Sequence, residues 1–280
     1  MNTPAQSIVL VGTAYSGSTI LGMALNSAKN NATYIGELSR SHGLFEKYQL
    51  DREPGVCSAC QIEQKNCPIY TDNLFQKFGN KTPTEIHKYL IKHLKTKTVI
   101  DASKHIAWVR LLAQETPTEK IKVIITVKNP KNYVQSCLDR GTDTAWQAAN
   151  AWRDTYIDIL RTLNRLGIAY YVVRNESYIA NTEQTMKGVW NFLHFQPTKY
   201  SQEKQVHAIG GNPAARITEV GNRNILETAK RLGQQLFDLN PQKASPLSKQ
   251  KISYDTQVLF DTPGLNDLAN LLGYEVKDIV

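Results

Sequence analysis

Short apolar runs alternate with longer stretches of helical periodicity along this 280-residue chain. Runs of this length, bounded by polar or turn-forming residues, predict buried strands, and apolar positions three or four apart predict one face of a helix. The strands predicted in this way cover residues 8–11, 33–35, 98–101, 122–127 and 169–173.

Helix boundaries are marked by capping residues. Thr82, Pro83 and Glu85 together form a capping-box signature with proline at the first helical position. Asn129 is predicted as a second N-cap, with Pro130 as the first helical residue. Gly167 is a natural end for the long amphipathic stretch that begins near residue 144. The first helix is predicted to begin near Gly17, and another carries Trp108, Leu111 and Leu112. The other predicted helices cover about residues 83–94, 130–138, 144–166, 182–193, 219–236 and 265–272.

Alternating strands and helices predict an α/β fold with a parallel β-sheet of about five strands flanked by helices. The run 122–127 is continuously apolar, as expected for a strand that is covered on both faces. The length and a hydrophobic content of 41% fit a single domain spanning residues 1–280. Residues 38–80 are irregular in pattern and are interpreted as a cysteine-containing cap over one edge of the sheet.

The net charge of +8 arises from Lys and Arg spread over the whole chain. A diffuse positive field favours an anionic ligand. The chain shows no basic stripe and no zinc-finger spacing, which argues against a nucleic-acid partner. The first apolar run is too short for a signal peptide or a membrane span, so a cytoplasmic protein without membrane contact is expected.

The loop after the first predicted strand has the chemistry of a phosphate cradle. Gly12 and Gly17 have the spacing of a P-loop, whose backbone N–H groups turn towards an anion at a helix N-terminus. The lysine that nucleotide triphosphatases need is replaced by Ser18, which disfavours ATP or GTP chemistry. Glu37 and Lys104 also follow predicted strands, at the carboxyl ends where open α/β sheets bind ligands.

The loop resembles the 5′-phosphosulfate loop, G-x-x-[RK]-S-G-[ST]-[ST]-x-L, of sulfotransferases that use 3′-phosphoadenosine-5′-phosphosulfate (PAPS). Tyr15 departs from that pattern, because the family has Arg or Lys there. The segment VIITVKNPKNYVQSCL resembles the family's 3′-phosphate segment, with Lys128 in place of the usual Arg and with Ser136 at the matching distance. A lysine neutralises a phosphate as a point charge but lacks the bidentate fork of guanidinium.

Other segments resemble bacterial members of the same family, and the resemblance spans about residues 7–220. They are YIGELSR with a Cys-Pro further on, IDASK, YYVVRNESY and HAIGGNPAAR. The resemblance implies a P-loop NTPase-like sulfotransferase fold in which a lid at about 205–255 covers the nucleotide. It also implies PAPS as co-substrate, adenosine-3′,5′-bisphosphate as product and no required metal.

Site residues follow from matching the family's motifs and from position at the strand ends. The expected nucleotide-binding residues are Thr13, Ala14, Tyr15, Ser16, Gly17, Ser18, Thr19, Lys128, Ser136, Asn212 and Arg216. The expected catalytic residues are Glu37, Lys104 and His105, and the expected acceptor-binding residues are Arg40, Tyr48 and Trp146.

An acceptor hydroxyl or amine must lose a proton, so a base is required. Glu37 is the first candidate, and His105 is the alternative, since other branches of the family use a histidine shortly after their lysine. An exposed or helix-capping role for His105, and an ion pair of Glu37 with Arg40, remain open. Lys104, or Arg40, is expected to neutralise the leaving group in place of the basic residue missing at Tyr15.

Three cysteines, Cys57, Cys60 and Cys67, are spaced suitably for zinc, and His42 is a candidate fourth ligand. Free thiols and a disulfide within the cap remain open. Two other functions also remain open: a nucleotide-binding module without catalysis, and a degenerate P-loop kinase. The expected acceptor is a small molecule, by inference a specialised metabolite, and the oligomeric state cannot be predicted.

Overall fold

Five parallel strands form the centre of the protein. In the computed structural model, which describes residues 6–41, 78, 81–198 and 254–279, they lie in the order β2-β3-β1-β4-β5. The strands are β1 (Ser7–Val11), β2 (Ala32–Gly36), β3 (Thr98–Lys104), β4 (Ile121–Val127) and β5 (Tyr170–Arg174). The predicted α/β class with a parallel sheet of about five strands is confirmed.

Helices connect the strands, and their bounds agree closely with the capping signals. Thr82 and Thr144 each form a full capping box, and Gly167 ends the long helix in the left-handed conformation. The helices of the described residues are α1 (Ser18–Leu25), α2 (Pro83–His93), α3 (Ile106–Glu115), α4 (Pro130–Leu138), α5 (Ala145–Leu166), α6 (Asn175–Ala180), α7 (Thr182–Leu193), α8 (Gln257–Asp261), α9 (Leu265–Leu271) and α10 (Val276–Ile279).

Both faces of the sheet are covered, because successive side chains of a strand point in opposite directions. Val9 and Val11 of β1 belong to the core shared with helices α2 to α5, α8 and α9. Ile8 and Leu10 belong to a second core shared with α1 and α7. This two-sided burial explains why the strands read as continuous apolar runs rather than as alternating ones.

Two predicted elements need correction. Strand β3 continues to Lys104 instead of ending at Asp101, because Lys104 still pairs with Val11 across an irregularity in the register. Asn175 and Glu176 begin the helix α6, which lies between the predicted strand 169–173 and the predicted helix 182–193 and was not predicted. The sequence pattern missed this short helix because its start is stabilised by distant partners, which are described below.

The strand order places a topological switch at β1. From β1 the chain crosses to β2, which lies two positions away, and β3 then fills the position between them. Strands β4 and β5 follow on the other side of β1. Loops at such a point diverge and leave a crevice at the carboxyl ends of the strands. The Gly12–Gly17 loop therefore lies at the centre of this edge, which we call the carboxyl edge.

Parts of the predicted organisation lie outside the described residues. This holds for most of the cap at 38–80, for nearly all of the lid at 205–255 and for the helix at 219–236. Within the described ranges, no helix is both long and apolar enough to cross a bilayer.

Candidate nucleotide and transfer site

The β1–α1 loop passes so close to β4 that it requires glycine. Gly12 has φ +146°, and a Cβ there would lie 2.1 Å from the carbonyl oxygen of Thr126. Gly17, the N-cap of α1, has φ +88°, and its Cβ position is 2.5 Å from Oδ1 of Asn175. Because Gly17 carries no capping side chain, the N-terminal turn of α1 is left for another hydrogen-bond acceptor.

Hydroxyl groups fasten the loop to the elements beneath it. The Thr126 hydroxyl donates to the Val11 carbonyl (3.2 Å), so the Ser16 hydroxyl, 2.8 Å from Thr126 Oγ1, is the donor in that pair. The Tyr156 hydroxyl donates to the Thr126 carbonyl (2.9 Å) and accepts from the backbone N–H (3.4 Å) and hydroxyl (3.2 Å) of Thr13. The side chains of Thr13 and Ser16 thus hold the loop, which makes the backbone the natural anion-binding surface.

A buried cation lies at the end of the neighbouring strand. Lys128 is only 6% exposed, and its Nζ donates to Oγ of Ser136 over 2.7 Å. Burial lowers the pKa of Lys128 to about 8, opposed by the nearby negative charge of Glu176 and assisted by the positive charge of Arg140. A buried amine with few charged partners gains from an anionic ligand, which restores its preference for the charged form.

Glu176 and two aromatic side chains fix the backbone around Lys128. One Glu176 oxygen accepts from the backbone N–H of Asn129 (3.0 Å), and the other accepts from the Tyr274 hydroxyl (2.7 Å). The indole N–H of Trp152 donates to the Lys128 carbonyl (2.8 Å). These contacts also explain why α6 begins at Asn175, and the periodicity of the sequence gives no signal for them.

Glu37 and Lys104 meet at the ends of β2 and β3. Their side chains form an ion pair, and Glu37 is 3% exposed. Lys104 has φ +65°, and the register of β3 shifts against β1 just before it. Such bulges redirect side chains, and here the shift accompanies the approach of the two charges. The partner of Glu37 seen here is Lys104, while the side chain of Arg40 lies outside the described residues.

Asp101, which sequence reasoning treated only as a strand end, holds this corner together. Its Oδ1 accepts from the backbone N–H of Ser103 (2.8 Å) and from that of Leu38 (3.4 Å). Its Oδ2 accepts from the Trp108 indole (2.7 Å) and lies 3.1 Å from Nε2 of His87. Leu38 follows Glu37, and Ser103 precedes Lys104, so one fully buried carboxylate anchors the backbone of both members of the ion pair.

His87 completes this buried network. Its Nδ1 lies 2.8 Å from the Ser7 hydroxyl, which donates to it when Nε2–H donates to Asp101. Helix α2, which begins with a capping box, thus contributes a histidine that supports the strand ends. The aspartate of the IDASK segment is Asp101, so the sequence contained a signal for this network that was not used in the predictions.

The remaining predicted residues are distributed unevenly. His105 is exposed at the N-cap of α3 and makes no side-chain capping bond, while Trp146 is 50% exposed in the first turn of α5, which excludes a core role for it. The structure brings together the loop, Lys128 with Ser136, and Glu37 with Lys104. The predicted residues outside the described part of the chain are His42, Tyr48, Cys57, Cys60, Cys67, Asn212 and Arg216.

The part of the chain that the structure describes contains no candidate metal site. No group of three or more His, Cys, Asp or Glu side chains there is arranged to hold an ion. The proposed zinc ligands in the cap lie outside these residues, so that hypothesis stays a prediction.

Comparison with known proteins gives matches by structure alone. No protein-family model matches the sequence, and no curated protein matches it. The sulfotransferase domain of the olefin synthase from Synechococcus PCC 7002 superposes with a TM-score of 0.60 at 17% identity, covering 98% of this chain and 96% of that one. The sulfotransferase domain from the curacin biosynthetic pathway gives 0.59 at 16% identity, covering 98% and 99%. The chain therefore has the fold of these sulfotransferase domains, as the sequence predicted.

Proposed function

We propose that this protein is a sulfotransferase that moves a sulfuryl group from PAPS to a hydroxyl or amine of a small-molecule acceptor. The observation that carries the proposal is that a glycine loop at a helix N-terminus and a buried Lys128–Ser136 pair lie at the same carboxyl edge. The glycine loop, without a P-loop lysine, suits the 5′-phosphosulfate, and the Lys128–Ser136 pair suits a second phosphate. PAPS carries both groups, whereas ATP has no 3′-phosphate.

The Glu37–Lys104 pair supplies complementary chemistry for the transfer. The acceptor oxygen or nitrogen forms a bond to sulfur, and the bond between sulfur and the phosphate-linked oxygen breaks. Glu37 takes the acceptor proton, and Lys104 moves from Glu37 to neutralise the charge that grows on the departing oxygen. Positioning and electrostatics carry this kind of in-line transfer, as in phosphoryl transfer.

The buried network around Asp101 supports the same mechanism. A base and a cation act together only if both are held in a fixed relation to the bound donor. Asp101 anchors the backbone beside Glu37 and beside Lys104, and the Gly12 N–H donates to the Lys104 carbonyl over 3.2 Å. The transfer residues are thereby coupled to the phosphate loop through the backbone.

Calorimetric binding tests the donor assignment. We expect adenosine-3′,5′-bisphosphate to bind more tightly than AMP or Mg-ATP, and Lys128→Ala to remove most of this preference. PAPS-dependent sulfation is then sought with alcohol, phenol and amine acceptors. Preference for Mg-ATP would favour a kinase, and a tightly bound bisphosphate without turnover on any acceptor would favour a module without catalysis.

A further inference from the structure

Tyr15 occupies the position where the resembled loop has a basic residue, and a basic residue covers it. Tyr15 has φ +63°, an uncommon conformation for a residue with a bulky side chain. The guanidinium carbon of Arg140 lies 4.1 Å from the centre of the Tyr15 ring, a cation–π distance. Arg140 follows α4, so a second segment of chain places a positive charge on the phosphate loop.

Arg140 also contacts the second proposed anion site, the Lys128–Ser136 pair. Its Nη1 donates to the Ser136 carbonyl (2.9 Å), and the Ser136 hydroxyl accepts from Lys128 (2.7 Å). The positive charge of Arg140 contributes to the lowered pKa of Lys128. Two cations are therefore held near each other against their mutual repulsion, an arrangement that an anion between them would relieve.

We infer that Arg140 is a nucleotide-binding residue that provides the guanidinium absent from both phosphate segments, with the 3′-phosphate as its ligand. This inference rests on the proposed function. Stacking on Tyr15 uses the face of the guanidinium and leaves N–H groups at its edge for phosphate oxygens. Lys128 then supplies a point charge and Arg140 the directional hydrogen bonds that Lys128 cannot make.

Paired titrations with adenosine-3′,5′-bisphosphate and AMP isolate the 3′-phosphate, since AMP lacks it. We expect Arg140→Ala to weaken bisphosphate binding about tenfold or more and AMP binding less than about twofold, the size of a lost charge-assisted hydrogen bond. Tyr15→Leu removes the stack and should weaken the bisphosphate selectively, whereas Tyr15→Phe keeps the aromatic face and should lose less bisphosphate affinity than Tyr15→Leu. If Arg140→Ala does not fold, Arg140→Gln is titrated in its place.

Arg165→Ala is the matched control. It removes the same charge near the far end of α5, about 20 Å along the helix from Trp152, and should leave both affinities unchanged. A further readout is the pH dependence of bisphosphate binding: loss of the Arg140 charge should move its midpoint upward, because a positive neighbour of Lys128 is removed.

Two results would overturn the inference: unchanged bisphosphate affinity in Arg140→Ala, or equal losses for bisphosphate and AMP. Failure of the proposed function looks different. There the wild-type protein would show no preference for the bisphosphate over AMP, and Lys128→Ala would have no selective effect. A wild-type preference that depends on Lys128 but not on Arg140 rejects only this inference.

Discussion

Charged side chains at the carboxyl edge differ in how the fold balances them. Lys128 is buried with a hydroxyl partner and a lowered pKa, so its charge is poorly compensated before a ligand arrives. Lys104 is paired with Glu37, so its charge is already balanced. Under the proposed function, this difference favours Lys128 for binding an anion and the Glu37–Lys104 pair for a step in which charge is redistributed.

Substitution of the two candidate bases should separate them. Glu37→Gln preserves shape but removes the proton acceptor, so we expect kcat to fall about 10²- to 10⁴-fold with bisphosphate affinity nearly unchanged. His105→Ala should change kcat less than about twofold, because His105 is exposed at a helix N-cap. Steady-state kinetics with PAPS checks both, and the larger loss in His105→Ala would reverse the assignment.

Nucleotide affinity should depend on pH through Lys128. Its pKa of about 8 reflects burial first, then Glu176, Arg140, Cys137 and Asp139. Binding a phosphate needs the protonated amine, so affinity for adenosine-3′,5′-bisphosphate should stay level from pH 7 towards 8. It should then fall by up to about tenfold per pH unit above 8.

Calorimetry at pH 7, 8 and 9 measures this dependence. Lys128→Arg is the control, because a guanidinium stays charged throughout and should flatten the profile. Equal wild-type affinities at pH 7 and 9 would contradict the role given to Lys128.

At the scale of elements, the carboxyl edge depends on contacts between segments that are distant in sequence. Asp101 of β3 joins the end of β2, the helix α2 through His87 and the helix α3 through Trp108. The Thr126 hydroxyl of β4 accepts a hydrogen bond from Ser16 of the loop after β1. The edge is thus cross-linked by polar groups that are buried and paired, which fixes geometry where the loops alone would not.

Asp101→Asn should therefore be strongly destabilising. It replaces one acceptor oxygen by a donor facing the N–H groups of Ser103, Trp108 or His87, and we expect the free energy of unfolding to fall by about 2–4 kcal/mol. Asp158→Asn, at the half-exposed pair with Arg110, should cost less than about 1 kcal/mol. Chemical denaturation measures both, and similar losses would contradict a central role for Asp101.

The close contact between the β1–α1 loop and β4 leads to a second prediction about these elements. A methyl group at Gly12 would meet the Thr126 carbonyl at 2.1 Å, whereas one at Gly167, also at positive φ, meets nothing within 4 Å. Gly12→Ala should therefore reduce stability by several times the loss in Gly167→Ala, which we place at about 1 kcal/mol. Bisphosphate affinity should fall only in the Gly12 variant. Equal decreases in melting temperature for the two variants, with bisphosphate binding intact, would contradict this prediction.

The whole molecule combines a topological switch with an excess of positive charge. The switch at β1 brings the loops after β1, β3 and β4 to one crevice, and the net charge of +8 gives the chain a positive field that attracts anions.

This field should appear in association kinetics. Raising salt from about 0.05 to 0.5 M shortens the screening length several-fold, so the association rate of adenosine-3′,5′-bisphosphate should fall about tenfold. Adenosine, which is uncharged, should associate at a rate that hardly changes. Stopped-flow measurements test this, and salt-independent association of the bisphosphate would exclude steering by the net charge.

Much of the architecture can be predicted from the sequence because local rules determine it. Apolar runs identify the buried strands, and caps at Thr82, Asn129 and Thr144 mark helix starts within about one residue. Spacing also indicates that Gly12 and Gly17 belong to an anion loop, because only glycine fits such a close approach.

Other features were decided by tertiary structure alone. The pairing of Glu37 with Lys104, the continuation of β3 beyond Asp101 and the stack of Arg140 on Tyr15 each join residues far apart in the chain. The periodicity of a sequence reports which face is buried, but not which strand lies beside which. The sequence by itself determined most of the elements, their caps and the position of the glycine loop. The strand order decided which charges face that loop, because it brings the strand ends to one edge.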